Sequence, residues 1–262
     1  MHAHPDDEAI WTGGTLARYA DEGATTAVVT CTGADTPQRV EELERSLEIL
    51  GAGKPRLLGY AGLSTGAPRF REAPFDEAVG RVVEHIREFR PDIVITYDGY
   101  GAYGHPEHVH AHRVTVAAVE AAGYDQLYRD AGTPWRPRAL YLATLPRSVV
   151  LAQWQAVFGA PPEPGQTLPG VPDEEITTRL DVGPWAERKL AAMHAHDSEV
   201  KRGGSLTMLL SLPDDMLALG LNNEWYRRLS YGGPRESALS AGQGEGEAFI
   251  GGVKDGEFDF PA

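Results

Sequence analysis

Two short stretches of this 262-residue chain hold six of its nine histidines. "HAHPDDEA" spans residues 2–9, and "YGHPEHVHAH" spans 103–112. The first places His4 three residues before Asp7, with Pro5 and Asp6 between them; the second offers His105, His108, His110 and His112. A catalytic zinc takes three protein ligands from His, Asp and Glu and keeps one position open. The two stretches together carry enough donors for one such site. The adjacent acids allow a division of labour. A carboxylate on the metal loses basicity, whereas a neighbour left off it can take a proton from water. A further histidine nearby can stabilise an oxyanion or protonate a leaving amine. These parts suit metal-assisted hydrolysis of an amide or an ester.

For the two stretches to meet, the elements around them must end at one edge. "TTAVVTCT" (25–32) is short, β-branched and bounded by glycines, which predicts a buried strand. In "RVEELERSLEIL", Val40, Leu43, Leu47 and Leu50 recur at helical spacing, and Gly51 stands where a helix stops. "PRLLGY" (55–60) predicts a strand. "PFDEAVGRVVEHIREF" (74–89) predicts a helix with one apolar stripe, ended by Pro91, and "DIVITY" (92–97) is the clearest strand. "TLARYADEG", after the first stretch, has a helical pattern. This order predicts an α/β fold: a Rossmann-like, mostly parallel sheet with helices on both faces. Ligands of such sheets bind at the carboxyl edge of the strands, where the 103–112 stretch falls directly after the 92–97 strand. In the second half, strands are expected at 139–145 and 177–182 and a helix at 184–196, with a Pro- and Gly-rich loop before the second strand. One domain over 1–262 is expected, with a flexible, Gly-rich and acidic tail from Ser240.

The formal net charge of −14 repels phosphate backbones and argues against nucleic-acid partners. No apolar run reaches membrane-spanning length, and no leader pattern opens the chain. Cys31 is the single cysteine and cannot close an internal disulfide, which fits a cytoplasmic protein. The oligomeric state is not legible, and a homo-oligomer stays open.

"AHPDDEAIWTGGTLARYADEG" together with "YGHPEHVHAH" resembles the PIG-L/LmbE family of metal-dependent N-acetyl-sugar deacetylases. Its mycothiol-pathway members, GlcNAc-inositol deacetylases and mycothiol conjugate amidases, are especially similar. The resemblance covers most of residues 2–122 and touches the later helix at 189–200. It implies metal ligands at His4, Asp7 and His108, a general base at Asp6, an electrostatic or general-acid histidine at His105 and a carbonyl-polarising Tyr103. It implies substrate contacts at Arg39 and, in "KLAAMHAHDSEV", at His196. One zinc per chain is implied, with iron(II) as second candidate. The implied reaction removes an N-acetyl group from a glucosamine-type sugar in a soluble glycoside, either a mycothiol precursor or a natural-product pseudosaccharide.

The chain departs from the family at several positions. Glu107 stands where an Asp is usual. Trp11 stands where the amidases carry Lys, and an apolar plane there suits a sugar face better than a charge. "LGYAGLSTG" has no clear counterpart of the hydroxyl-binding Asp of the mycothiol deacetylases. Only Met1, His2 and Ala3 precede His4, where the family has a strand.

Other readings compete. Mycothiol S-conjugate amidase is the alternative within the family. A non-catalytic metal- or sugar-binding protein is the alternative of another class, disfavoured because a binder needs no unligated base. Metallo-β-lactamase-like proteins need a histidine where Glu8 stands. Barrel amidohydrolases need single later ligands on separate strands, and no G-x-G-x-x-G supports a dinucleotide site. His85 and His194 read as ordinary surface or core residues, Cys31 as a small buried apolar group, and Gly13 and Gly14 as tight helix packing or close backbone approach.

Overall fold

The computed structural model describes residues 1–33, 36–61 and 69–230. The tail from Ser240 and residues 62–66 of "LGYAGLSTG" lie outside them. Helix α1 runs over Asp7–Asp21, β1 over Val29–Thr30, α2 over Pro37–Leu50, β2 over Arg56–Leu57, α3 over Phe75–Phe89 and β3 over Ile93–Tyr97. A single turn, α4 (Gly101–Gly104), leads into α5 (Pro106–Ala122). Then come β4 (Ala139–Thr144), α6 (Arg147–Phe158), β5 (Thr178–Asp181), α7 (Ala186–Ala195), α8 (Asp197–Arg202), α9 (Ser205–Leu210), α10 (Asp214–Asn222) and β6 (Asn223–Ser230).

Local chemistry explains the boundaries. Pro37 opens α2, and Gly51 closes it in the left-handed region at φ 74°. The α3 stripe buries Val79, Val82, Val83 and Ile86, while Phe75 at its start stays exposed. Pro106 opens α5, and the ring of His105 caps it by accepting the Glu107 N–H.

The predicted α/β class holds, with helices against a central sheet. The pairings divide by half of the chain. β1–β2 and β3–β4 are parallel, whereas β4–β6 and β5–β6 are antiparallel. Strand β6, not expected from the sequence, lies between β4 and β5. Its "NEWYRRLS" mixes charges into the run and hides the strand pattern. The segment 147–158 likewise gave no sequence signal, and its helix buries only Val150. β4 is buried along its whole length. Leu140 and Leu142 join the α3–α5 core, while Ala139, Tyr141 and Ala143 pack on the other face with Tyr19, Leu180 and Tyr226. Both faces are therefore covered, as a buried central strand requires.

The opening tripeptide takes part in the sheet. The His2 N–H donates to Val29 O, the Cys31 N–H to His2 O and the Thr32 N–H to Ala3 O, at 2.9–3.0 Å. The Met1 amine reaches Ile95 O at 2.6 Å. Residues 1–3 thus bridge β1 and β3 and deliver His4 to the carboxyl edge. Beside them a cavity of about 560 Å³ lies between Thr25–Val29 and Asp92–Ile95, with His2 in its lining and His4, His105 and His108 outside it.

Helix α1 begins at Asp7, earlier than "TLARYADEG" suggested, and Gly13 and Gly14 lie inside it. A Cβ at Gly14 would stand 2.4 Å from Val182, so packing explains this glycine. The Glu224 carboxylate enters the same place. It accepts from the Gly14 and Thr15 N–H groups at 2.8 and 2.9 Å, and from buried Lys189 at 2.8 Å. Glu224→Ala is expected to lower stability by roughly 3–5 kcal/mol, because it strands a buried ammonium. That corresponds to a fall in Tm of roughly 6–20 °C at this size. A thermal melt within about 2 °C of the parent would show that this anchor of α1 to β6 is dispensable.

Candidate metal centre and active site

Three side chains converge where α1, the opening tripeptide and α5 meet. His4 Nδ1 is 3.2 Å from Asp7 Oδ2, His108 Nε2 is 3.4 Å from the same oxygen, and the two ring nitrogens are 3.3 Å apart. Donors bound at about 2.0–2.1 Å around a tetrahedral zinc stand roughly 3.3 Å from one another, so this triangle fits one metal. His105 joins His4 and His108 in a wider set whose donor atoms lie within 4.8 Å. The tight triangle is the better ligand set because its sides match the tetrahedral spacing.

Each donor is held from behind. His4 Nε2 lies 2.6 Å from Glu107 Oε2, the arrangement in which a ligating imidazole donates its other N–H to a carboxylate. Glu107 therefore supports His4, and its extra methylene gives it the reach. The His108 ring is fully buried and stacks on Tyr97, with centroids 4.1 Å apart and planes at 11°. The Tyr97 hydroxyl donates to Asp7 Oδ2 at 2.7 Å and accepts the Ala3 N–H at 2.7 Å. Burial alone would raise the Asp7 carboxyl, but the facing His108 and His4 rings hold it well below the usual carboxylate range.

Asp6 precedes Asp7 and is not one of the three residues of the triangle. Burial, then the charge of Asp7, pushes its carboxyl up to about 7. A proton affinity near neutrality suits a group that must accept a proton and later release it. Its backbone is unusual: φ is 123° in a non-glycine residue, a conformation costing on the order of 1–3 kcal/mol. The β3–α5 crossing is shaped in a similar way. Ala102 has φ 65°, and Asp98 pins the crossing by accepting the Tyr100 and Ala102 N–H groups and the Thr144 hydroxyl.

The other predicted residues divide. Tyr103 lies at the rim, 42 % exposed, with its ring 5.1 Å from that of His108. Burial pushes its phenol up to about 12, so it stays protonated. His105 is next to it, with its ring 4.8 Å from His4. The three residues that the resemblance implied as substrate contacts are each engaged by partners within the chain. His196 is fully buried behind the site, with Nε2 on Glu8 Oε1 at 2.6 Å. Arg39 is engaged by Pro5 O at 2.5 Å and Glu199 at 3.1 Å, and its guanidinium stands 3.9 Å from Asp6 Oδ1. Trp11 packs between two core clusters, edge-on to Tyr97. The resemblance implied these three contacts, and side-chain packing sets the direction each takes. Of the remaining histidines, His2 holds Thr12, His110 packs on Phe70, and His112 holds the Tyr97 carbonyl. Sequence reasoning missed Glu8 and assigned no role to Tyr97. Glu8 sits two residues after Asp6, and its buried partners come from Ser46 and His196.

Among the described residues, no helix is long and apolar enough to cross a membrane. Residues 1–119 match the family described as "PIG-L: GlcNAc-PI de-N-acetylase". A 1D-myo-inositol 2-acetamido-2-deoxy-alpha-D-glucopyranoside deacetylase of Rhodococcus erythropolis is 42 % identical over 236 residues, covering 76 % of this chain and 80 % of the relative. Its namesake from Thermobifida fusca is 39 % identical, covering 78 % and 84 %. The fold is similar to that of N,N'-diacetylchitobiose deacetylase from Pyrococcus horikoshii, with a TM-score of 0.61 at 18 % identity, covering 87 % of this chain and 82 % of that one. With residues 1–119 matching the family model and relatives of this identity and coverage, the chain belongs to the PIG-L deacetylase family.

Proposed function

We propose that this chain is a metal-dependent N-deacetylase that removes the acetyl group from a glucosamine-type sugar within a soluble glycoside. The observation that carries this reading is the His4–Asp7–His108 triangle with a buried, unligated acid at the residue before its carboxylate. These three side chains would hold one divalent ion per chain. Two imidazoles and a carboxylate suit zinc, with iron(II) as the second candidate. Bound there, such an ion supplies Lewis acidity, polarising an amide carbonyl and acidifying water.

The residues of the chain carry the rest. Asp6 takes the proton of the attacking water as the new C–O bond forms. Tyr103 donates a hydrogen bond to the carbonyl oxygen as it becomes an oxyanion. His105 accepts the Glu107 N–H at Nδ1, a pattern that puts its own proton on Nε2, where it too can donate to the oxyanion. As the C–N bond breaks, the proton held by Asp6 passes to the leaving amine, giving acetate and the free amino sugar.

The names of the Rhodococcus and Thermobifida relatives support GlcNAc-inositol as the first substrate to test. Initial rates of acetate release should be compared on GlcNAc-inositol, N-acetylated antibiotic sugars and mycothiol S-conjugates. The GlcNAc glycosides are expected to release acetate fastest. Preferred cleavage of the conjugates with their acetyl groups intact would replace the deacetylase by the conjugate amidase.

A further inference from the structure

The Pro5–Asp6 peptide is gripped at both of its polar ends. Its N–H, on Asp6, donates to Glu8 Oε2 at 3.0 Å. Its carbonyl, on Pro5, accepts from Arg39 Nη2 at 2.5 Å. Neither gripping group is loose. The Glu8 side chain is fully buried, and its other oxygen accepts from Ser46 Oγ at 2.5 Å and bonds His196 Nε2 at 2.6 Å. Arg39 is held in turn by Glu199 at 3.1 Å. His196 and Glu199 lie on one short stretch at the α7–α8 junction, and that stretch is itself tied to α2. Ser198 donates to Glu42 from both its N–H, at 3.0 Å, and its hydroxyl, at 2.5 Å. The gripped peptide sets φ of Asp6, which stands at 123°. A free chain leaves that conformation, so a surrounding structure must impose it.

We infer that Glu8 and Arg39, backed by His196 and Glu199, form a two-sided clamp on the Pro5–Asp6 peptide that aims the Asp6 carboxylate beside the metal triangle. They are positioning residues acting through Asp6. The α7–α8 junction, about 190 residues along the chain from Asp6, thereby helps set the catalytic geometry. The part of this inference that concerns turnover rests on the deacetylase reading; the conformational part does not.

The test uses Glu8→Gln in the full chain, which keeps shape and one acceptor, with Arg39→Lys as a second variant should the first fold poorly. A misplacement of about 1 Å can cost about 100-fold in rate. Each variant is expected to lose about 10- to 100-fold in kcat, with KM within about twofold and bound metal unchanged. In an Asp6→Asn background, the same substitutions are expected to change the residual rate less than about twofold, because there is no base left to aim. Full additivity, or a raised KM with kcat intact, would overturn the clamp in favour of a separate binding role. A crystal structure of each variant reads the conformation without any substrate. Asp6 is expected to leave positive φ, and finding it still near 123° overturns the inference whatever the substrate proves to be. A parent enzyme that holds metal but deacetylates none of the sugars would sink the proposed function alone.

Discussion

His108→Ala is expected to abolish metal retention and turnover together. His108 Nε2 closes the triangle at 3.3 and 3.4 Å from the other two donors. Without it, His4 and Asp7 offer two donors, below the three that a catalytic zinc site uses. Loss of an outer partner of a ligand costs about 10–100-fold in metal affinity or activity, and loss of the ligand itself should exceed that. Glu107→Gln supplies the comparison. It touches His4 from outside the triangle, so it should weaken metal binding by about 10–100-fold and leave a measurable rate. Elemental analysis of dialysed protein beside initial rates reads both variants. Full metal occupancy in His108→Ala would remove His108 from the ligand set and return attention to His105, the third member of the wider cluster. A circular-dichroism check is needed, because the His108 ring is buried against Tyr97 and its loss also leaves a void.

Asp6→Asn is expected to do the opposite with metal and the same with turnover. The amide keeps the size of the carboxylate and does not belong to the triangle, so one ion per chain should remain. It cannot take a proton, and removal of a general base typically costs about 10²–10⁴-fold in rate. Because substrate contacts are unaffected, the loss should fall on kcat rather than on KM. Loss of metal to the same extent as in His108→Ala would make Asp6 a ligand and overturn the division of roles between the adjacent acids. The pair is therefore diagnostic: one variant empties the site, and the other silences a filled one.

Much of the site was legible in the sequence because its chemistry is local. His4, Asp6 and Asp7 share one turn, and His105 and His108 share another, so residue type and spacing announce them. The strand at 92–97 and the helix at 74–89 were legible for a similar reason: each shows one strong hydrophobic period. Strand β6 was not legible. Its charged residues interrupt the apolar pattern, and its place between β4 and β5 comes from pairing with strands about 40 to 90 residues away in the chain.

Arg39, Trp11 and His196 show what a resemblance of motifs leaves to the tertiary structure. Each lies near the site along a predicted element, yet the direction of a side chain depends on its packing partners. His196 turns onto Glu8, Arg39 onto Pro5 and Glu199, and Trp11 into the core. Their partners are distant in sequence, as Glu8 and His196 are, 188 residues apart. Residue type and short-range spacing by themselves determined which groups could hold a metal, that one of two adjacent acids could stay off it, and at which edge of an α/β sheet they would stand; the assignment of the free acid to Asp6 came from the family resemblance. Only the tertiary structure decided which of six clustered histidines converge, and what holds Asp6 in a backbone conformation it would not keep alone. The physical reason is that donor identity is a property of single residues, whereas convergence and strain are properties of contacts between segments far apart in the chain.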